Sequence, residues 1–284
     1  MTSLTAVAPC QTDADCKGTT NPRPEGVAED LSRCDWAIAR TLERVGLATS
    51  LQLEHLHFHT LPEEQRGTMC RRTLQRLVDL RVLATSDPST SDHAGGSPAP
   101  TYTLGAAGSL LVGMRANAPV RDGKADWPEP GDEQRTVRAL AITQIFVDLV
   151  GLEQDRAGDL HLEAFRTSPT SHWPDRHGHT LEPDAFIRVA RGDTTGFWWL
   201  EVDQELESTA LMLAKVRAYL DFLRHNKPSP DEVVPRIMIG VLTEARTEAL
   251  RFMLGGLPEP TRQMFVVTVL SDAAKVIQQD LKAR

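Results

Sequence analysis

The stretch 197–208, FWWLEVDQELES, constrains the fold of this chain more than any other. A run of bulky apolar side chains ends on Glu201 and Asp203, and Glu205 and Glu207 continue at the same spacing. In a β-strand alternate side chains share a face. The run therefore reads as a strand covered on both faces at its apolar end, with its carboxylates starting out on one side. Like charges that close repel one another. Such a strand requires a metal ion, a basic partner or open water against its acidic end.

Hydrophobic periodicity and turn residues set that strand in a longer pattern. A helix is expected over residues 132–150, strands over about 159–166, 182–190 and 197–204, and a helix over about 207–224. A strand at about 236–243, a helix closed by Gly255-Gly256, a strand at about 264–270 and a final helix from Asp272 complete the block. The order αβββαβ resembles a restriction-endonuclease-like core with a mixed sheet. Nucleases with that core carry Pro-Asp, a gap, then an acid-x-Lys pair, and their carboxylates hold Mg²⁺ or Mn²⁺ against a phosphate. Here Pro183-Asp184 and Glu201-Val202-Asp203 occupy those places, so Asp184, Glu201 and Asp203 are the candidate metal ligands. Asp203 stands where the lysine belongs. Lys215 is the candidate replacement, because it lies within an apolar stripe of Leu211, Ala218, Tyr219 and Phe222 on the following helix. The catalytic set is then Asp184, Glu201, Asp203 and Lys215. The alternative is that Lys215 is a structural ion-pair partner in an inactive site.

The N-terminal half has a different character. Residues 1–30 read as a disordered leader, 31–114 as one domain, 115–131 as a Pro- and Gly-containing linker, and 132–284 as the second domain. Within 31–114 a helix is expected over 35–45. A second follows the capping box formed by Thr49 and Gln52, and a third covers about 67–81. Two short strands at 82–86 and 101–104 flank a flexible loop at 87–100. Three helices and a β-hairpin make the plan of a winged helix-turn-helix, whose third helix enters the DNA major groove. That helix has Cys70, Leu74 and Leu77 on one face and a basic opposite side. Arg66, Arg71, Arg72, Gln75 and Arg76 are the candidate DNA contacts, since arginine grips phosphates and guanine edges. The chain carries a net charge of −8, which argues against wholesale coating of nucleic acid and makes this local basic surface the informative feature.

The segments EPDAFIRV, FWWLEVDQELES and LAKVRAYLDF, with YTLGAAGSLL after the hairpin, resemble the replication-relaxation family. The resemblance covers about residues 31–270, and Asp184, Glu201, Asp203, Glu207, Lys215 and Tyr219 match its pattern by position. It implies a protein of plasmids, phages or integrated elements. The chain is accordingly expected to be a regulatory protein that binds double-stranded DNA in control of replication, transfer or transcription. Its nuclease-like domain would be non-catalytic and would serve as a platform for a homodimer or for a replication or transfer protein. A metal-dependent nuclease or nickase and a protein-interaction module are the competing readings. His55 and His59 read as a solvated helix end, and His172, His177 and His179 as a polar loop. Cys10, Cys16, Cys34 and Cys70 read as reduced, buried or idle thiols rather than zinc ligands. No apolar run reaches the length of a membrane span and no secretory signal opens the chain, so the expected location is the cytoplasm with no membrane partner.

Overall fold

The computed structural model describes residues 24–86, 100–116, 132–155, 159–174, 178, 180–204, 208–225 and 234–283. The protein is α+β, and its residues form two compact units that divide between Val147 and Asp148.

The first unit begins with helix α1 at Pro24–Asp30. The sequence reading put these residues in a disordered leader. Pro24 suits a first helical position, and Val27 and Leu31 give the segment an apolar contact with the core. Helix α2 at Arg33–Val45 starts on a capping box, in which Ser32 and Asp35 each accept the other's backbone N–H. Strand β1 at Ala48–Thr49 leads into helix α3 at Ser50–His57, whose Thr49–Gln52 capping box is the one the sequence announced. Helix α4 at Glu63–Asp79 starts four residues before the expected Gly67. Glu63 and Glu64 in its first turn favour the positive end of the helix dipole. Strands β2 at Leu83–Ser86 and β3 at Thr101–Leu104 pair antiparallel, and β1 adds to the far side of β3 to give the order β1-β3-β2. At two residues, β1 is too short to leave a periodic signal.

Helix α5 at Ala106–Ala116 docks by backbone contact. The N–H of Gly105 donates to the Val82 carbonyl at 2.8 Å, and that of Ala107 to the Arg81 carbonyl at 3.1 Å. A Cβ on Gly108 would lie 2.1 Å from the Val82 oxygen, closer than non-bonded heavy atoms can approach.

Helix α6 at Glu133–Gln154 was assigned by sequence to the second domain, and the structure corrects this. Its residues as far as Val147 belong to the first unit. There the Thr143 hydroxyl donates to the Leu47 carbonyl at 2.6 Å, and the Gln52 amide donates to the Leu140 carbonyl at 3.1 Å. Ile142, Ile145, Phe146 and Leu149 are all buried, so the apolar period of α6 gives no hint of where one unit ends. Of the expected linker, residues 117–131 lie outside the described residues, as do 87–99 of the expected loop.

The second unit is built on a five-stranded mixed sheet, in the order β10-β9-β8-β7-β4. Strands β4 (Leu160–Thr167), β7 (Ala185–Arg191) and β8 (Thr194–Asp203) pair antiparallel in turn. A two-residue connection, Gly192-Asp193, joins β7 to β8, and Gly192 carries the positive φ of 55° that such tight turns require. Strand β5 (Trp173–Pro174) pairs with β6 (Thr180–Leu181) in a separate small ribbon. Helix α7 (Thr209–His225) then returns the chain to β9 (Arg236–Val241), which runs parallel to β8. After helix α8 (Glu244–Leu254), strand β10 (Phe265–Val269) runs parallel to β9, and helix α9 (Ala273–Ala283) closes the unit. The core joins Trp199 and Phe186 of the sheet to Met212, Val216, Tyr219 and Phe222 of α7 and to Leu250 and Leu254 of α8. The buried stripe of α7 is thus rotated from the expected one. Leu211 is half exposed and Ala218 is exposed, whereas Met212 and Val216 face inward.

Among the described residues no helix is long and apolar enough to cross a membrane. Cys70 is a free, buried thiol, as expected. Burial, then the charge of Glu54, pushes the Cys70 thiol up to about 12.

Two outcomes follow from this packing. Gly108→Ala should displace α5 from β2 and lower stability by about 1–3 kcal/mol, read from urea unfolding. Cys70 should stay unlabelled by iodoacetamide at neutral pH in the native protein and become labelled in guanidinium, because its thiolate is absent below the raised pKa. Peptide mass spectrometry follows it separately from the other cysteines.

Candidate functional site

Strand β8 presents Trp199, Glu201 and Asp203 on one face, as strand alternation requires. Trp199 is wholly buried against α7. Glu201 is 4% exposed and Asp203 0%. Carboxylates so deeply placed must be answered by donors, and the two neighbouring helices supply them.

Helix α7 answers Glu201. The Tyr219 hydroxyl donates to Oε1 at 2.6 Å, and Lys215 Nζ donates to Oε2 at 3.3 Å. Lys215 and Tyr219 stand four residues apart, so one turn of helix carries both donors to one carboxylate. Helix α8 answers Asp203, whose Oδ2 accepts a hydrogen bond of 2.7 Å from Arg246 Nε. Arg246 is held in register by the N-cap of α8, where the Thr243 hydroxyl accepts its backbone N–H. Asp184 stands immediately before β7. Its Oδ2 accepts the Val202 N–H at 2.7 Å and its own N–H donates to the Leu200 carbonyl at 2.9 Å, which joins the start of β7 to β8.

The structure therefore brings Asp184, Glu201 and Lys215 into one neighbourhood. It turns Asp203 to a partner that the sequence reading missed. Arg246 lies 43 residues on, and its register depends on how α8 packs. Tyr219 was legible in the apolar stripe and in the family pattern, but the hydrogen bond of its hydroxyl to Glu201 was not. Glu205, Glu207, His177 and His179 lie outside the described residues, while His172 is half-buried in the loop before β5.

Mg²⁺ and Mn²⁺ were the cofactors that the acidic pattern suggested. Divalent hard cations need several oxygen donors converging on a point. Here Glu201 is engaged on both oxygens by a hydroxyl and an ammonium, and Asp203 by a guanidinium. An ion would have to displace these donors against the charge of Lys215 and Arg246. Among the described residues no group of three His, Cys, Asp or Glu side chains is placed to hold a metal. In this arrangement both carboxylates are held by protein donors. What it does is tie the acidic end of β8 to α7 and α8.

The second candidate surface lies on α4. Arg71, Arg72 and Gln75 are exposed, and the Gln75 amide donates to Asp79 Oδ1 at 2.9 Å. Arg66 is half-buried, and its Nε donates to the Leu61 carbonyl at 2.7 Å, bracing the turn before the helix. Arg76 departs from its expected place on the outward face. Its Nη2 donates to Asp35 Oδ1 at 2.5 Å and to Oδ2 at 2.6 Å, and Asp35 is fully buried.

The protein is thus an α+β protein that carries a basic helix face in its first unit and a charge-compensated acidic strand in its second. A sequence profile of the replication-relaxation family matches residues 40–237, well over half of the chain, and the protein belongs to that family. Membership associates it with replication or with mobile elements. Among curated proteins none matches it.

Removing one member of a buried ion pair costs about 3–5 kcal/mol. Arg246→Ala, which leaves buried Asp203 without its arginine, should approach that loss in urea unfolding. Lys215→Ala should cost less, about 1 kcal/mol, because its contact is longer and its side chain is 29% exposed.

Proposed function

We propose that the protein is a DNA-binding regulator of a plasmid, phage or integrated element, acting in replication, transfer or transcription. In this reading α2, α3 and α4 with the β2–β3 hairpin constitute a winged helix-turn-helix, and α4 is the helix that enters the major groove. The observation that carries the reading is the division of α4 into two sides. Cys70, Leu74 and Leu77 are buried in the core, while Arg71, Arg72 and Gln75 stand outward in an otherwise acidic chain. Arginine and glutamine are the side chains suited to phosphates and to purine edges. The antiparallel β2–β3 pair next to α4 supplies the wing.

The second unit is read as a nuclease-like domain that performs no hydrolysis and serves as a platform for a second copy of the chain or for a replication or transfer protein. Support comes from the strand order and the Pro183-Asp184…Glu201 spacing, combined with the engagement of Glu201 and Asp203 by Lys215, Tyr219 and Arg246.

The test exposes the full chain to a pool of random duplexes at low salt and measures affinity for the enriched sequence as salt rises. Arg71→Ala and Arg72→Ala should each weaken binding and reduce the slope of log K against log salt by about 1. Glu201→Ala should leave affinity unchanged, and supercoiled plasmid should remain intact in Mg²⁺ or Mn²⁺. A chain that enriches no duplex, or that nicks plasmid in a manner abolished by Glu201→Ala, overturns the reading.

A further inference from the structure

Asp35 and Arg76 form a tightly held charged pair in the first unit. Asp35 is the third residue of α2 and is fully buried. Its Oδ2 also accepts the Ser32 N–H at 2.8 Å, so the carboxylate is fixed by the start of its own helix before Arg76 arrives. Arg76 places Nη2 against both oxygens of that carboxylate, at 2.5 and 2.6 Å. Its Nε and Nη1 are buried and have no hydrogen-bond partner among the described residues. Two orphaned guanidinium nitrogens are costly, and a helix that needed only adhesion at this point would do better with an apolar side chain. A charged pair that is expensive to keep is best explained by the geometry it enforces. At 3.6 residues per turn, Arg72 lies about 40° from Arg76 around α4 and one turn earlier, and Gln75 is adjacent to Arg76 in sequence. Fixing Arg76 on Asp35 therefore fixes which way Arg72, Gln75 and Arg71 point.

We propose that Asp35 and Arg76 are positioning residues, which set the rotation of α4 against α2 so that Arg71, Arg72 and Gln75 meet a specific DNA sequence, and that Arg76 makes no DNA contact of its own. This rests on the DNA-binding reading above.

Electrostatics alone and positioning give opposite signs in one experiment. The full-length chain and its Asp35→Asn and Arg76→Gln variants are titrated by fluorescence anisotropy against two probes. One is the duplex enriched by the wild-type chain, and the other is poly(dI-dC), at a temperature where circular dichroism shows each variant folded. Asp35→Asn removes a negative charge from a DNA-binding unit and keeps every arginine. If Arg76 were a DNA contact restrained by Asp35, binding to both probes would tighten. Positioning requires at least a tenfold loss on the enriched duplex with no loss on poly(dI-dC). Arg76→Gln carries the same test independently if Asp35→Asn does not fold. The expected result is a tenfold or greater loss on the enriched duplex with the wild-type salt slope retained. A slope lowered by about 1 assigns Arg76 to a phosphate and overturns the proposal. Unchanged discrimination between the probes, which a purely structural pair would give, also overturns it. A wild-type chain that enriches no duplex overturns the DNA-binding reading, and this assignment falls with it. A chain that binds selectively while the two variants behave as wild type overturns this assignment alone.

Discussion

The second unit depends on the compensation of two buried negative charges on one strand by cations reaching in from two different helices. Strand β8 is central in the sheet, and its acidic end is as deeply placed as its tryptophans. Uncompensated, Glu201 and Asp203 would repel each other and lose their hydration. With Lys215 and Tyr219 on one and Arg246 on the other, the strand end becomes the point at which α7 and α8 are registered against the sheet. Apolar packing brings these helices to the sheet, and the ion pairs select one rotation of each. The acidic end of β8 is thus a structural joint between the sheet and two helices.

Much of this was legible in the sequence, for identifiable reasons. Alternation in FWWLEVD gave β8, its burial and the shared face of its carboxylates, because a strand's period is local. The Thr49–Gln52 capping box fixed the start of α3 because its hydrogen bonds span three residues. Helical spacing and charge offered Lys215 the Glu201/Asp203 face as a partner, and the structure sets it on Glu201. What escaped depended on contacts between distant segments. Arg246 is not marked as the partner of Asp203 by anything near it in sequence. The inward stripe of α7 was misjudged because Leu211, Leu213 and Leu220 left several apolar faces available, and only packing chooses among them.

The arginines of α4 make a related point about charge. Five candidate contacts were counted from composition and helical face. In the structure Arg66 supports a turn and Arg76 is committed to Asp35, whereas Arg71, Arg72 and Gln75 are exposed. A basic helix is therefore a poor measure of its own interaction strength until each guanidinium has been assigned a neighbour. The same applies in reverse to the acidic strand, whose formal charge overstates the field it presents.

Helix α6 bears on how the protein can be taken apart. Its early turns cover the Leu47 carbonyl and accept the Gln52 amide, although they follow α5 by a long stretch of chain. A fragment ending at the last turn of α5, where composition suggests a natural stopping point, would expose both groups and the apolar surface around them. Dissection by truncation, whether by protease or by gene design, would then report on a damaged first unit rather than on an autonomous one, unless the fragment reaches Val147.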